Sequence, residues 1–158
     1  MVNMRRKERQ VTDPAVITEC LQKSEYMNVA FYDNGDIYVV PVNFGYVIED
    51  DTYTIYFHGA KAGRKAALAL ASPKVGFDMV SKAETVSADK ACDFTEHFLS
   101  IIGQGNLTVL SDAEDKEAGL DAVMVKATGK TWDYPEAMVN ATNVYKIEVT
   151  ELSCKKNK

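Results

Sequence analysis

The chain has 158 residues, 46% of them hydrophobic, which is enough for one domain with its own core. Its formal net charge of −5 excludes general nucleic-acid binding, which needs a broad positive surface. No segment reaches membrane-spanning length, and Met4-Arg5-Arg6-Lys7-Glu8-Arg9 lacks the apolar run of a secretory signal, so a soluble cytoplasmic protein is expected.

In chain order, Asp13 before Pro14 predicts a capped helix over 14–24, with Val16, Ile17, Cys20 and Leu21 as its buried stripe. Met27, Val29 and Phe31 alternate as a strand, and Asp33-Asn34-Gly35-Asp36 predicts a hairpin turn into a second strand over 37–42. Pro41 marks that strand as an edge or a ligand-facing kink, because proline cannot donate to a ladder. Phe44, Tyr46 and Ile48 continue the alternation, and a third strand follows over 52–58. A helix over about 62–72 is stopped by Ser72-Pro73, and a fourth strand covers 75–80. The polar run 81–91 reads as loop. Residues 94–109 read as one long or two short strands, broken near Gly103-Gln104-Gly105. Ser111-Asp112-Ala113-Glu114 has the form of a capping box opening a helix over 112–127. A short helix over 135–141 and a last strand over 144–152 complete a barrel-like α+β domain, mainly β.

The most informative stretch is Tyr56-Phe57-His58-Gly59-Ala60-Lys61-Ala62-Gly63-Arg64-Lys65. A strand passes through a small-residue turn into a helix start that carries Lys61, Arg64 and Lys65. Unpaired first-turn N–H groups, the helix dipole and three cations suit a phosphate. A solvated basic turn has the same sequence, so both readings stand at this point. The other basic clusters, Arg5–Arg9 and Lys155–Lys158, read first as solvated tails. Cys20, Cys92 and Cys154 have neither zinc-ligand nor disulfide-framework spacing, and two histidines 39 positions apart build no metal site.

Laid out this way, the chain resembles the nitroimidazole-resistance (Nim) family, within the pyridoxamine 5′-phosphate oxidase-like flavin-binding split barrels. Five blocks carry the resemblance: Met4-Arg5-Arg6-Lys7 with Val11-Thr12-Asp13, Tyr38 through Tyr46, Tyr56 through Lys65, Ser100-Ile101-Ile102-Gly103-Gln104-Gly105, and Val144 to Val149. The resemblance implies a split barrel of about six antiparallel strands, forming a homodimer with FMN at its interface. By the same resemblance Lys61, Arg64 and Lys65 hold the FMN phosphate, and Val40, Pro41, Val42 and Asn43 run beside the isoalloxazine. His58 stands near the ribityl chain or ring as the only reasonable proton donor. Ile102 and Gly103 come from the neighbouring strand or subunit.

Two departures from the family pattern bear on the substrate. An aromatic-and-arginine segment is common before the Ser-Val-Ile-Gly-like block, whereas this chain has Phe94-Thr95-Glu96-His97-Phe98-Leu99. Gly59 stands where serine is usual, which removes a hydroxyl donor. His97 reads as structural, and Trp132 as either a lid on the pocket or packing over the barrel end. The implied activity is an FMN-dependent oxidoreductase of nitroreductase type, taking electrons from a small-molecule donor and passing them to nitroaromatics such as 5-nitroimidazoles. The alternatives are a non-catalytic flavin carrier, a pyridoxamine 5′-phosphate oxidase-like enzyme needing a second phosphate site, and a haem protein with His58 as ligand.

Overall fold

The structure is a computed structural model that describes residues 4–158. The first helix, α1 (Pro14–Lys23), starts where its cap lies: Asp13 accepts a hydrogen bond from the Ala15 N–H at 2.9 Å. Ile17, Cys20 and Leu21 form its buried stripe, and α1 packs on the two longest hairpin strands, β6 (Lys74–Val86) and β7 (Thr95–Val109). Upstream of it, β1 (Gln10–Val11) joins the end of β8 (Thr142–Asn157). Strands β2 (Met27–Asp33) and β3 (Asp36–Val42) form the expected hairpin. Asn34 at φ 48° and Gly35 at φ 102° give its turn the left-handed pair that matches strand twist. Pro41 lies on an edge strand, with no ladder on its outer side.

Residues 44–49 are a strand in their own right, β4 (Gly45–Glu49), which turns through Asp50 and Asp51 into β5 (Thr52–Ala60). The described residues therefore hold eight strands rather than about six, counting the two-residue β1. The main sheet runs β3-β2-β6-β7-β8-β5-β4, every neighbour antiparallel. Its two end strands, β3 and β4, are joined by Asn43 and Phe44 alone. Two residues reach only roughly 10 Å, so a path of seven strands must curl until its edges nearly meet. That closure without a ladder is the split barrel expected from the sequence.

Phe31, Phe57, Ile101, Tyr145 and Ile147 are wholly buried inside it, and Phe57 stacks on Tyr145 at 4.7 Å between centroids. Helix α2 (Arg64–Ala71) follows β5 and packs on β2 and β7 through Leu68 and Ala69. Helix α3 (Ala113–Thr128) lies over β4, β5 and β8, followed by the short α4 (Glu136–Ala141). Among the described residues no helix is long and apolar enough to cross a membrane.

Three local expectations are corrected. Residues 82–86 are strand, not loop: they extend β6 and pair with 95–99 across a bulge at Ser81. That outer ribbon is mostly exposed, so ladder hydrogen bonds hold it and no apolar alternation announces it. The α3 cap is Asp112, not Ser111. Its carboxylate accepts from the Glu114 and Asp115 N–H groups at 3.1 and 3.3 Å, which also sets a negative charge at the dipole's positive end. The last strand continues through Asn157, so Lys155 and Lys156 are ladder residues rather than tail.

Candidate functional site

Three sequence-predicted cations come together where β5 hands over to α2. Gly63 occupies the helix cap, and no side chain caps the first turn. Among the described residues neither Lys61 nor Lys65 forms an ion pair. The Lys65 ammonium lies 6.0 Å from the Phe57 ring centroid and 5.9 Å from that of Tyr145. It can lie there because position 59 is glycine: a Cβ on Gly59 would come within 2.6 Å of Lys65 Nζ and 2.9 Å of Cε. The departure at Gly59 thus removes a hydroxyl and gives its space to a cation. Burial lowers the Lys65 pKa, as expected for an ammonium with no counter-charge.

Arg64 has a partner within the chain. Its Nε and Nη2 donate to Asp33 Oδ2 at 3.1 and 2.8 Å, and its guanidinium covers the Tyr38 ring at 4.6 Å. It ties α2 to the β2–β3 hairpin. Lys116 of α3, which the sequence reading passed over, is only 5% exposed, and burial and then the charge of Lys61 lower its pKa. As one lysine in a polar helix it carried no sequence signal; only the packing of α3 places it near the basic turn.

His58 lies on the opposite face of β5 from Phe57 and Gly59. It opens on a cleft of about 230 Å³ with Leu120, Val123 and Met124 of α3, Tyr134, and Met138 of α4. The Tyr134 hydroxyl donates to Asp121 at 2.9 Å, which leaves the imidazole as the main polar group on an apolar wall. Partial burial, then the positive charge of Lys65, lower the His58 pKa from its ordinary value, which favours the neutral ring. With a depressed folded pKa, the unfolded chain binds more protons just below pH 6.5, and stability must fall as pH drops through that window. Thermal melts of the wild type and His58→Gln between pH 5 and 7.5 should therefore differ in slope, the variant being flatter. Equal slopes would mean that His58 titrates normally.

The predicted ring-side residues lie along β3 and the hinge after it. Val40 and Val42 face the core, Pro41 faces outward, and the Asn43 amide donates to the Glu25 carbonyl at 3.2 Å. A polar depression of about 300 Å³ opens at this end, lined in part by Glu25, Asn28 and Asp78. Asn28, the ladder partner of Pro41, donates to Asp78 at 2.9 Å. Asn43 is separated from the Arg64–Tyr38 contact by the length of β3, roughly 17 Å at the usual strand rise. Ile102 and Gly103 are not brought to β3 in one chain: β2 and β6 intervene, so about 14 Å of sheet separates them. Trp132 folds back on its own loop, donating to Thr128 Oγ1 at 3.0 Å with Lys130 over its ring at 4.1 Å. It closes the end of α3, which neither of its expected roles described.

The sequence pattern of the pyridoxamine 5′-phosphate oxidase family matches residues 13–156. The chain belongs to that family. Among solved structures it is similar to a candidate 5-nitroimidazole antibiotic resistance protein from Bacteroides thetaiotaomicron, with 26% identity, TM-score 0.79, and coverage of 92% of this chain and 85% of that one. The flavocytochrome Anf3 of Azotobacter vinelandii shares the fold at 22% identity and TM-score 0.79, over 99% of this chain and 72% of that one. So does an FAD- and haem-binding protein of Mycobacterium smegmatis, at 18% identity and TM-score 0.81, over 95% and 74%. No curated protein matches the chain.

Proposed function

We propose that this protein is an FMN-dependent oxidoreductase of nitroreductase type. The observation that carries the reading is the uncapped start of α2 beside two cations, Lys61 and Lys65, that form no ion pair among the described residues, at the end of a barrel strand. These residues fit a phosphate monoester: open N–H donors and the charges of Lys61 and Lys65, with the nearby carboxylate of Asp33 already engaged by Arg64. FMN is favoured as the group with that handle. Its ring would run along β3 toward Asn43, whose side-chain oxygen is free to accept while its amide is held by Glu25. A bound flavin supplies hydride and single-electron transfer between a donor and an acceptor. The chain supplies anchoring at Lys61 and Lys65, orientation along Val40–Asn43, and an imidazole at His58.

The working unit in this reading is a homodimer. The outer face of β3-β2-β6-β7 carries Tyr32, Ile37, Val39, Val80 and Ile102, with Ile37 74% and Ile102 61% exposed. So much apolar surface on one sheet face favours a second copy. Ile102 and Gly103 of that copy could then reach the β3 of the first, which they do not reach in one chain. The acceptor is a small aromatic, nitroaromatics such as 5-nitroimidazoles being the class, with the electron donor a small reduced molecule.

The lowered pKa of His58 favours one second reading, a flavin carrier without turnover, because it disfavours the imidazolium that would deliver a proton. The deciding experiment is an absorbance spectrum of the purified dimer, with the released chromophore identified by mass, followed by anaerobic bleaching with reduced nicotinamide nucleotides and reoxidation by a 5-nitroimidazole. Bound FMN, bleaching and reoxidation are expected. FMN without bleaching by any donor would select the carrier, and a colourless protein that takes up no FMN would sink both.

A further inference from the structure

The Lys65 ammonium and the His58 imidazole occupy opposite faces of β5 at the strand's end. A Cβ on Gly59 would lie 2.6 Å from Lys65 Nζ. One covalent bond and one peptide unit complete the path to the histidine, so the ammonium lies within roughly 8 Å of the His58 Cα. The material between them is packed protein. Phe57 and Tyr145, over which the ammonium lies, are wholly buried, and so is Val144, the ladder partner of His58. Charges acting through such a medium are screened far less than charges in water. Lys65 has no carboxylate partner among the described residues, so nothing on its own face offsets it. On the other face, α3, α4 and β8 line the imidazole's cleft with uncharged side chains. The titratable group beside it there is Tyr134, kept neutral by burial, and its hydroxyl donates to Asp121 of α3 at 2.9 Å. After burial, Lys65 is therefore the influence that holds the ring away from its charged form.

We propose that a phosphate held at the β5–α2 turn converts His58 from a poor to a competent proton donor by cancelling the field of Lys65. This deepens the reading above and rests on its phosphate site. A phosphate monoester carries about −1.5 to −2 charges at neutral pH, more than one ammonium offsets. Its arrival reverses the sign of the charge across the strand from His58. The ring then takes a proton from solvent, because a nearby opposite charge favours the charged form of a base. Loading the cofactor and readying its proton donor become one event, and the anion-free protein disfavours the imidazolium. Lys65 is in this way both an anchor and a positioning residue for the proton on His58. Lys61 belongs to the same turn but is not among the groups that shift His58, so it serves the anchor alone.

The test is an NMR pH titration of the full chain, with sulfate as the probe because it stays a dianion across the range in which histidine titrates. Chloride at equal ionic strength is the reference. His97 on β7, the second of two histidines, is the internal control. As sulfate saturates the Gly63 and Arg64 amides, His58 should bind its proton at least about twofold more tightly, as expected for removing one charge at this separation. Lys65→Gln should show that tighter binding without sulfate and gain nothing further from it. Lys65→Arg should behave as wild type, which a role in packing alone would not predict. Lys61→Gln should weaken sulfate binding but leave His58 unchanged in the absence of sulfate. Turn amides that respond to sulfate while His58 does not would overturn the coupling and leave the phosphate site standing, as would an unchanged His58 in Lys65→Gln. Turn amides that respond to neither sulfate nor FMN would remove the phosphate site and the coupling with it. A full response to sulfate in a protein that takes up no FMN would keep the coupling and refute the flavin reading.

Discussion

Replacing Lys65 by alanine is expected to strip the flavin while the barrel stays folded. The ammonium lies over Phe57 and Tyr145 with no carboxylate partner among the described residues, and it loses hydration in that position. A phosphate arriving there gains a charge-assisted bond whose removal costs about 1.5–3 kcal/mol, or roughly tenfold to a hundredfold in Kd. Nothing in the core depends on the lysine head. Arg64→Ala makes the contrast: its guanidinium is committed to Asp33 and Tyr38, so its loss should loosen the β2–β3 hairpin more than it weakens flavin. The Arg64 side chain is 51% exposed, so the pair itself is worth no more than about 1 kcal/mol. Fluorescence-quenching titrations of FMN against the two single variants, with flavin-to-protein ratios after gel filtration, separate the cases. An unchanged Kd in Lys65→Ala would remove the β5–α2 turn from the binding site.

How much of this was legible in the residues depends on whether the signal was local. The β2–β3 hairpin was readable because Asn34-Gly35 fits only a left-handed turn, and α1 because Asp13-Pro14 opens a helix with one apolar stripe. The basic turn at Lys61–Lys65 was equally local. What escaped was set by pairing between distant segments. The β6 side of the outer ribbon, 82–86, is mostly exposed and polar, so its strand character lives in the ladder it forms with 95–99. Arg64 could be seen as a cation but not as the partner of Asp33, 31 residues away. Arg9 and Lys155 looked like tails because nothing in either segment records that β1 closes onto β8. The depressed pKa of His58 likewise comes from its neighbours in space, including Lys65 across the strand end.

The largest effect on stability is expected from a single methyl group, in Gly45→Ala. Gly45 opens β4 directly beneath α3, and a Cβ built on it would overlap the Ala122 carbonyl and the Val123 amide nitrogen. The obstacle is helix backbone, which cannot rotate aside as the end of a side chain can. Either α3 lifts from the sheet or β4 bends away from Tyr56 and Ile55, its partners on β5. Overpacking of this kind costs about 1–3 kcal/mol and occasionally more, which for a chain of this size lowers Tm by roughly 2–12 °C. The site should register the same change. Leu120, Val123 and Met124 of α3 wall the cleft at His58, so lifting the helix widens that cleft while Lys61 and Lys65 stay where β5 and α2 hold them. The variant should therefore melt earlier and keep its flavin, but lose discrimination among acceptors of different size, measured as the spread of kcat/KM across a nitroaromatic series. A variant that melts like wild type would show that α3 does not rest on Gly45, and the cleft at His58 would then need another wall.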